Sequence, residues 1–385
     1  MDYEKESLKC HEEAKGKIKI AATVPIDTEE DLAIYYTPGV AAPCLAIADS
    51  AKNASKYTCK NRTVAIVTDG SAILGLGNIG SLAGLPVMEG KAALFKRFAN
   101  VDAFPICLDT QDPDEIIKTV KHIAPGFGAI NLEDIAAPAC FKVERTLKKE
   151  LSIPVFHDDQ HGTAIVTCAA LLNALKVTKK TIAESKVVIN GAGAAGTAIA
   201  EMLSKLGCKN IILCDSKGII AKHRKNLNAA KKELLTFTNP DNQEGSLIDA
   251  LEKADVFIGV STAGILSQKM IRSMGRQPII FAMANPIPEI LPNEAIAAGA
   301  AVVGTGRSDY VNQINNVLVF PALFKGALEA HAQKITDKML LAAVYALAGV
   351  VTESELSPEY IIPTPFHPDV TPAIANAVRL AWTKE

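Results

Sequence analysis

The stretch VVINGAGAAGTAIAEMLSKLGCKNIILCD, residues 187–215, decides the fold. A β-branched run leads into Gly191-Ala192-Gly193-Ala194-Ala195-Gly196, and a helical pattern follows without interruption. A second strand-like run ends at Asp215, 24 residues after Gly191. Strand, glycine turn, helix, strand and acid in this order make a dinucleotide-binding unit. The glycines permit a tight turn, the helix N-terminus faces the pyrophosphate, and the acid reaches a ribose hydroxyl. Asp215 favours NAD, although Lys217, Lys222 and Arg224 lie near enough in sequence to accommodate the extra phosphate of NADP. NAD is therefore expected, with NADP as the alternative.

On either side of this unit, strand-like runs alternate with helical patterns: TVAIVTDG, AFPICLD, GAINLED and IPVFHDD before it, ADVFIGV and PIIFAMANP after it. That alternation predicts an α/β protein. Two domains are expected, each with a mainly parallel sheet, the second a Rossmann-type dinucleotide-binding domain. The helical and basic stretch ALLNALKVTKKTIAESK (170–186) is a plausible seam leading into the second βαβ unit. Most of these strands end in Asp, Asn, Gly or Glu, at the carboxyl edge where open α/β sheets bind ligands.

The totals exclude several classes. The 385 residues suffice for about two domains. A net charge of −2 with scattered Lys and Arg argues against a nucleic-acid or membrane partner. The charged start, MDYEKESLKCHEEAKGK, has no apolar signal core. The apolar run MLLAAVYALAGVV (339–351) falls short of the roughly 20 residues of a membrane helix and predicts a buried core helix. Eight dispersed cysteines without a C-x-x-C pair suit buried thiols in a reducing cytosol, so a cytoplasmic location is expected.

A second glycine cluster, Gly75, Gly77 and Gly80, is a weaker cofactor signature, because Gly84 and Pro86 break the segment after it and a helical pattern starts only near Glu89. It reads as a loop that lets backbone approach a small ligand. Two adjacent acid pairs, Glu133-Asp134 and Asp158-Asp159, end strand-like runs. If those strands share a parallel sheet, the four carboxylates meet in one crevice and repel unless a cation joins them. Oxygen ligands without a thiolate favour Mg²⁺ or Mn²⁺ over zinc. The alternative is that each pair caps a helix. His157 and His161 follow a strand, so their four-residue spacing does not place them on one helical face; packed or hydrogen-bonded histidines are expected.

Taken together, YYTPGVA (35–41), VTDGSAILGLGNIG (67–80), GLPVMEGKAALF (84–95), NLEDI (131–135), FHDDQHGTAIV (156–166), NGAGAAG (190–196), ANP (284–286) and TGRSDYVNQINNVLVFPALFKGAL (305–328) resemble the malic enzymes, in order, over roughly residues 20–345. The resemblance implies oxidation of L-malate with NAD(P) and decarboxylation to pyruvate, with Mg²⁺ or Mn²⁺. It implies an N-terminal substrate and metal domain over 1–160 and an NAD(P)-binding domain with C-terminal helices over 161–385. By resemblance the metal ligands are Glu133, Asp134 and Asp159. Lys91 is the catalytic lysine with Asp158 beside it, and Tyr36 is the catalytic tyrosine. Lys91, Asn285, Asn315 and Asn316 are the substrate-binding positions, with Asn285 also at the cofactor, and a homodimer is expected. One departure stands out: larger relatives carry an arginine two residues after T-D-G, where this chain has Ala72. Either Ser71, a loop N–H of 75–80 or Arg307 is then expected to hold the substrate carboxylate, or malate is expected to bind more weakly. A malolactic enzyme, another α/β dehydrogenase and a non-catalytic nucleotide sensor are the rival readings.

Overall fold

The computed structural model describes residues 3–383 apart from Asn226. The first sheet contains β1 (Thr63–Thr68), β2 (Asp102–Cys107), β3 (Ala129–Leu132) and β4 (Val155–His157), in the order β2-β1-β3-β4, all parallel. The second contains β5 (Lys186–Asn190), β6 (Asn210–Asp215), β7 (Gly218–Ile219), β8 (Val256–Gly259), β9 (Ile279–Ala282) and β10 (Val302–Thr305). Its order is β10-β9-β8-β5-β6-β7, parallel except for the short β7. Strands β1, β3, β4, β8, β9 and β10 are buried along their whole length, which is why they read as unbroken apolar runs rather than alternating ones.

The chain order reverses direction at β1 in the first sheet and at β5 in the second, leaving a crevice at the carboxyl edge of each. The helix Thr163–Thr178 runs between the sheets in sequence and is buried over most of its length. The helix Phe320–Glu329 returns from the second sheet to the first. Its Phe320 and Phe324 rings meet Phe95 at 4.8 and 5.4 Å, and Phe324 meets Phe156 of β4 at 5.6 Å. One continuous core therefore contains Val64 and Phe156 from the first sheet together with Val187 and Ile258 from the second.

Several local expectations need correction. The helix after Gly80 begins at Ser81, not near Glu89, and runs to Ala99 through Gly84 and Pro86. A Cβ on Gly84 would come within 2.5 Å of the Ile73 side chain, so a residue that looks like a breaker is a packing contact. Strands β7 and β10 give no clear signal in the sequence; β10 lies in the alanine- and glycine-rich segment AAGAAVVGTG. Asp158–Gly162 forms a π-helical turn leading directly into the helix at Thr163. Residues 339–351 do lie in a helix, Asp337–Val350, with a buried face. Cys140, Cys168, Cys208 and Cys214 are buried, but Cys10, Cys44 and Cys59 are exposed, and all eight thiols are free. No helix among the described residues is long and apolar enough to cross a membrane.

The N-terminal helices Tyr3–Ala14, Glu29–Tyr35, Ala41–Asp49 and Ala54–Tyr57 bury no residue, although they carry Leu8, Ile34, Leu45 and Tyr57.

Phe324 joins the two sheets through packing alone. Its replacement by alanine is expected to cost about 3–5 kcal/mol, whereas exposed Leu380→Ala should stay within about 0.5 kcal/mol. Urea unfolding midpoints of the two variants check this.

Candidate active site

Pairing β1 with β3, and β3 with β4, brings the two acid pairs to the same edge. Glu133-Asp134 follows β3 and Asp158-Asp159 follows β4. Ligand atoms of Glu133, Asp134 and Asp159 all lie within 4.8 Å of one another, a spacing that suits a single small cation. Asp159 accepts the backbone N–H of Asp134 at 2.8 Å, which locks the two turns together. Asn131, fully buried within β3, donates to Glu133 Oε2 at 2.8 Å.

Lys91 reaches this cluster from the helix Ser81–Ala99. Its ammonium donates to Glu133 and, at 2.5 Å, to Asp158 Oδ2, and sits 4.5 Å from the centre of the Phe320 ring. Asn316 also donates to Asp158 Oδ2. Asp158 is fully buried, with Oδ1 seated where a Cβ on Gly162 would be, and that oxygen has no hydrogen-bond partner. Burial pushes the Asp158 carboxyl up to about 8, with repulsion from Glu133 and Asp159 adding to it against the pull of Lys91. Burial also raises Glu133 and Asp159. Burial alone would lower Lys91, but attraction to Asp158, Glu133 and Asp159 outweighs it and holds the ammonium well above its ordinary value.

The histidines lie behind the acids. His157 is fully buried, its Nε2 3.8 Å from Asp159 Oδ2, and burial pulls it down to about 4. His161 pairs with Glu144, a buried carboxylate that also accepts the His157 N–H and the Gln160 amide. Among the described residues, the only carboxylate, imidazole or thiolate group fit to hold an ion is the Glu133–Asp134–Asp159 set.

The second sheet forms the facing wall. The helix Ala194–Lys205 opens directly after Gly193, and a Cβ on Gly193 would meet nothing within 4 Å, leaving its N-terminus open to a ligand. A Cβ on Gly196 would fall 1.7 Å from the Gly191 carbonyl oxygen, so that glycine is required for the turn itself. Gly193, Ala194, Ala195, Asn285, Asn315 and Asn316 line the same cleft of about 720 Å³ as Lys91, Glu133, Asp134 and Asp159. Gly191, Ala192 and Gly196 shape the turn from behind. Gly75 also lines the cleft, and a Cβ there would come within 2.2 Å of the Asn285 carbonyl oxygen. The close approach expected of that loop is thus made to the second sheet's own loop. Buried Glu289 ties that region together, accepting the N–H groups of Ser261 and Ala284 at 3.1 and 3.0 Å.

Four expected residues stand elsewhere. Tyr36 caps the helix Glu29–Tyr35, is 65% exposed, and does not line the cleft. Asp215 ends β6 and is bound by Arg224 and Lys231. Arg307 forms a two-pronged pair with Asp309, and Ser71 Oγ is bonded to Asp69, so two of the three candidates for holding the substrate carboxylate are already engaged. Lys91 is the only cationic side chain on the cleft lining among the described residues. Asn131, Lys231, Glu289 and Phe320 were not singled out from sequence. A buried-type asparagine inside the apolar run AINL was the one local signal available for Asn131.

A helix N-terminus open to a dinucleotide on one wall, facing carboxylates and a buried lysine on the other, defines a dinucleotide-dependent α/β oxidoreductase. The sequence comparisons narrow the class: residues 15–148 match the malic enzyme N-terminal domain and residues 160–380 the malic enzyme NAD-binding domain. The chain belongs to the malic enzyme family. A bifunctional malic/malolactic enzyme of Bacillus subtilis is 56% identical over 99% of this chain and 93% of its own. An NADP-dependent malic enzyme of Escherichia coli is 48% identical over 95% of this chain and 50% of its own length. The crystal structure of an NAD-dependent malic enzyme from Thermotoga maritima superposes with a TM-score of 0.94 at 51% identity, covering 97% of this chain and 98% of that one.

The two glycines separate folding from binding. Gly193→Val should leave the thermal midpoint within a few degrees of the parent while NADH binding, followed by nucleotide fluorescence, is lost. Gly196→Ala should instead destabilise the protein itself, visible as a lowered midpoint without any ligand.

Proposed function

We propose that this chain oxidises L-malate with NAD or NADP and decarboxylates the product to pyruvate, with Mg²⁺ or Mn²⁺ held by Glu133, Asp134 and Asp159. The observation that carries this reading is the convergence of those carboxylates and Lys91 in the cleft that also receives the open helix N-terminus after Gly193. The donor set fits the ion: three carboxylates, hard oxygen ligands, crowded enough that a divalent cation relieves their repulsion. When bound, the ion and the nicotinamide supply an electrophile at the substrate's C2 oxygen and an acceptor for hydride.

The chain's own residues do the rest. Lys91 accepts the proton of the C2 hydroxyl. With a cation on Glu133, Asp134 and Asp159 offsetting the attraction of Glu133 and Asp159 for Lys91, the burial that lowers its pKa is set against the pull of Asp158 alone. Asp158 Oδ2 accepts from Lys91 and is itself held in place by the Asn316 amide. Asn285 and Asn315 offer amide donors to the substrate's carboxylates from the facing wall. Tyr36 returns a proton to C3 after CO₂ leaves. Because Tyr36 is exposed outside the cleft of its own chain, this role requires a second copy to bring it there. The unburied N-terminal helices, with Leu8, Ile34 and Leu45 outward, support a homodimer that covers them. The bifunctional name of the Bacillus subtilis relative supports a second reading, conversion of malate to lactate with the cofactor retained.

A malate assay with NAD and NADP in parallel, with and without Mn²⁺, tests the whole reading. Free reduced cofactor with pyruvate supports it, and lactate without free NADH or NADPH supports the second. Lys91→Ala should lower malate oxidation on the order of 10²–10⁴-fold while retaining a larger share of oxaloacetate decarboxylation, which needs no hydroxyl deprotonation. Asp159→Ala should abolish Mn²⁺-dependent turnover, and His161→Gln should hold Mn²⁺ affinity within a few-fold.

Subunit exchange tests the placement of Tyr36. Inactive Lys91→Ala and Tyr36→Phe proteins, unfolded and refolded together, should regain roughly a quarter of wild-type activity. That follows if sites are shared, because half the dimers are mixed and each then holds one intact site. No regain would place both residues on the same chain's site.

A further inference from the structure

We propose that Arg224 and Lys231 form the seat for the 2′-phosphate of NADP, and that Asp215 positions this pair rather than binding the ribose of NAD. The inference rests on the dinucleotide reading of the second domain and names what that site selects. Asp215 ends β6, where an acid of this fold ordinarily receives the adenosine ribose hydroxyls.

In this chain the carboxylate is already filled. Arg224 donates Nη1 to Oδ1 at 3.0 Å and Nη2 to Oδ2 at 2.9 Å. Lys231 Nζ donates to Oδ2 at 2.6 Å, and the Lys217 N–H to Oδ1 at 2.8 Å. A carboxylate offers about four lone-pair directions, so a ribose hydroxyl must displace one of these donors to bind. The donors cannot substitute for it, since guanidinium and ammonium groups have no acceptor atom. A phosphate brings acceptor oxygens and no need of the carboxylate.

Charge points the same way. One acid faces two cations, so the cluster carries surplus positive charge where the ribose is expected. Although burial would raise Asp215, the hydrogen bonds from Arg224 and Lys231 hold its carboxyl down at about 2, so it stays ionised and keeps both cations in place. The pair is also built into the backbone. Arg224 Nη1 lies 3.3 and 3.1 Å from the Gly218 and Ile219 carbonyls of β7, and Lys231 stands in the helix Ala229–Leu234, capped by Asn228. Both side chains remain partly accessible, 16% for Arg224 and 25% for Lys231, so their outer N–H groups can meet a ligand. A guanidinium fork with an ammonium beside it suits a phosphate.

A purely structural clamp on the β6–β7 turn would affect both cofactors alike, so the ratio of affinities is the decisive readout. Equilibrium titration of the full-length protein with NADH and NADPH, by nucleotide fluorescence, should give Kd values within about tenfold of each other. Lys231→Met should weaken NADPH by about tenfold or more and change NADH less than about twofold, and Lys231→Arg should restore NADPH. Asp215→Asn, which frees the two cations, should tighten NADPH several-fold. The proposal is overturned if wild-type protein binds NADPH more than about a hundredfold weaker than NADH, or if Lys231→Met shifts both nucleotides equally. Failure of the wild-type protein to bind either nucleotide overturns the dinucleotide reading as well, and so is distinguishable from failure of the seat alone.

Discussion

The ammonium of Lys91, buried between Glu133 and Asp158, is the constraint on which the cleft depends. A buried cation without partners is prohibitively costly, and so are clustered buried carboxylates without a cation. Each side therefore requires the other, and the backbone must deliver both. Strands β3 and β4 do so for the acids by ending side by side, and the helix Ser81–Ala99 does so for the lysine. With four carboxyl groups and one ammonium the cluster remains acid-rich, which is the basis of the cation site proposed for it.

The same cluster couples the two halves of the molecule. Asp158 is held from the far side by Asn316, and the Lys91 ammonium rests on Phe320, the first residue of the helix that carries Phe324 into the first sheet's core. A shift of that helix would move the lysine's environment together with Asn315 and Asn316 on the cleft lining. Glu289 performs a parallel task on the cofactor side, bridging the loops that follow β8 and β9 through two backbone N–H groups. The cleft is thus held by buried polar contacts between segments far apart in sequence, with apolar packing around them.

The parts that could be read in one dimension were those governed by neighbours along the chain. Residues 187–215 determined a strand, turn, helix and strand, because glycine spacing and apolar periodicity act over a few residues. The acid pairs at 133–134 and 158–159 were visible as strand ends for the same reason. The start of the helix at Ser81 is not legible locally, because the reason for Gly84 lies in Ile73, a residue outside the helix. Strand β10 leaves little local signal, because its length is four residues and its β character comes from pairing with β9.

What only the tertiary structure decided is which of these local pieces face one another. Sequence supplied Asp215 as an acid at the proper interval, but not that Arg224 and Lys231, nine and sixteen residues later, already occupy its oxygens. It supplied Tyr36 within a distinctive motif, but not that the residue stands exposed and off the cleft of its own chain. It supplied Lys91 by resemblance as a catalytic position, but only the fold buries it among acids. The physical reason is range: propensity and periodicity are set by residues a turn or two apart, whereas charge, burial and hydrogen-bond occupancy are set by whatever the fold brings within a few ångströms.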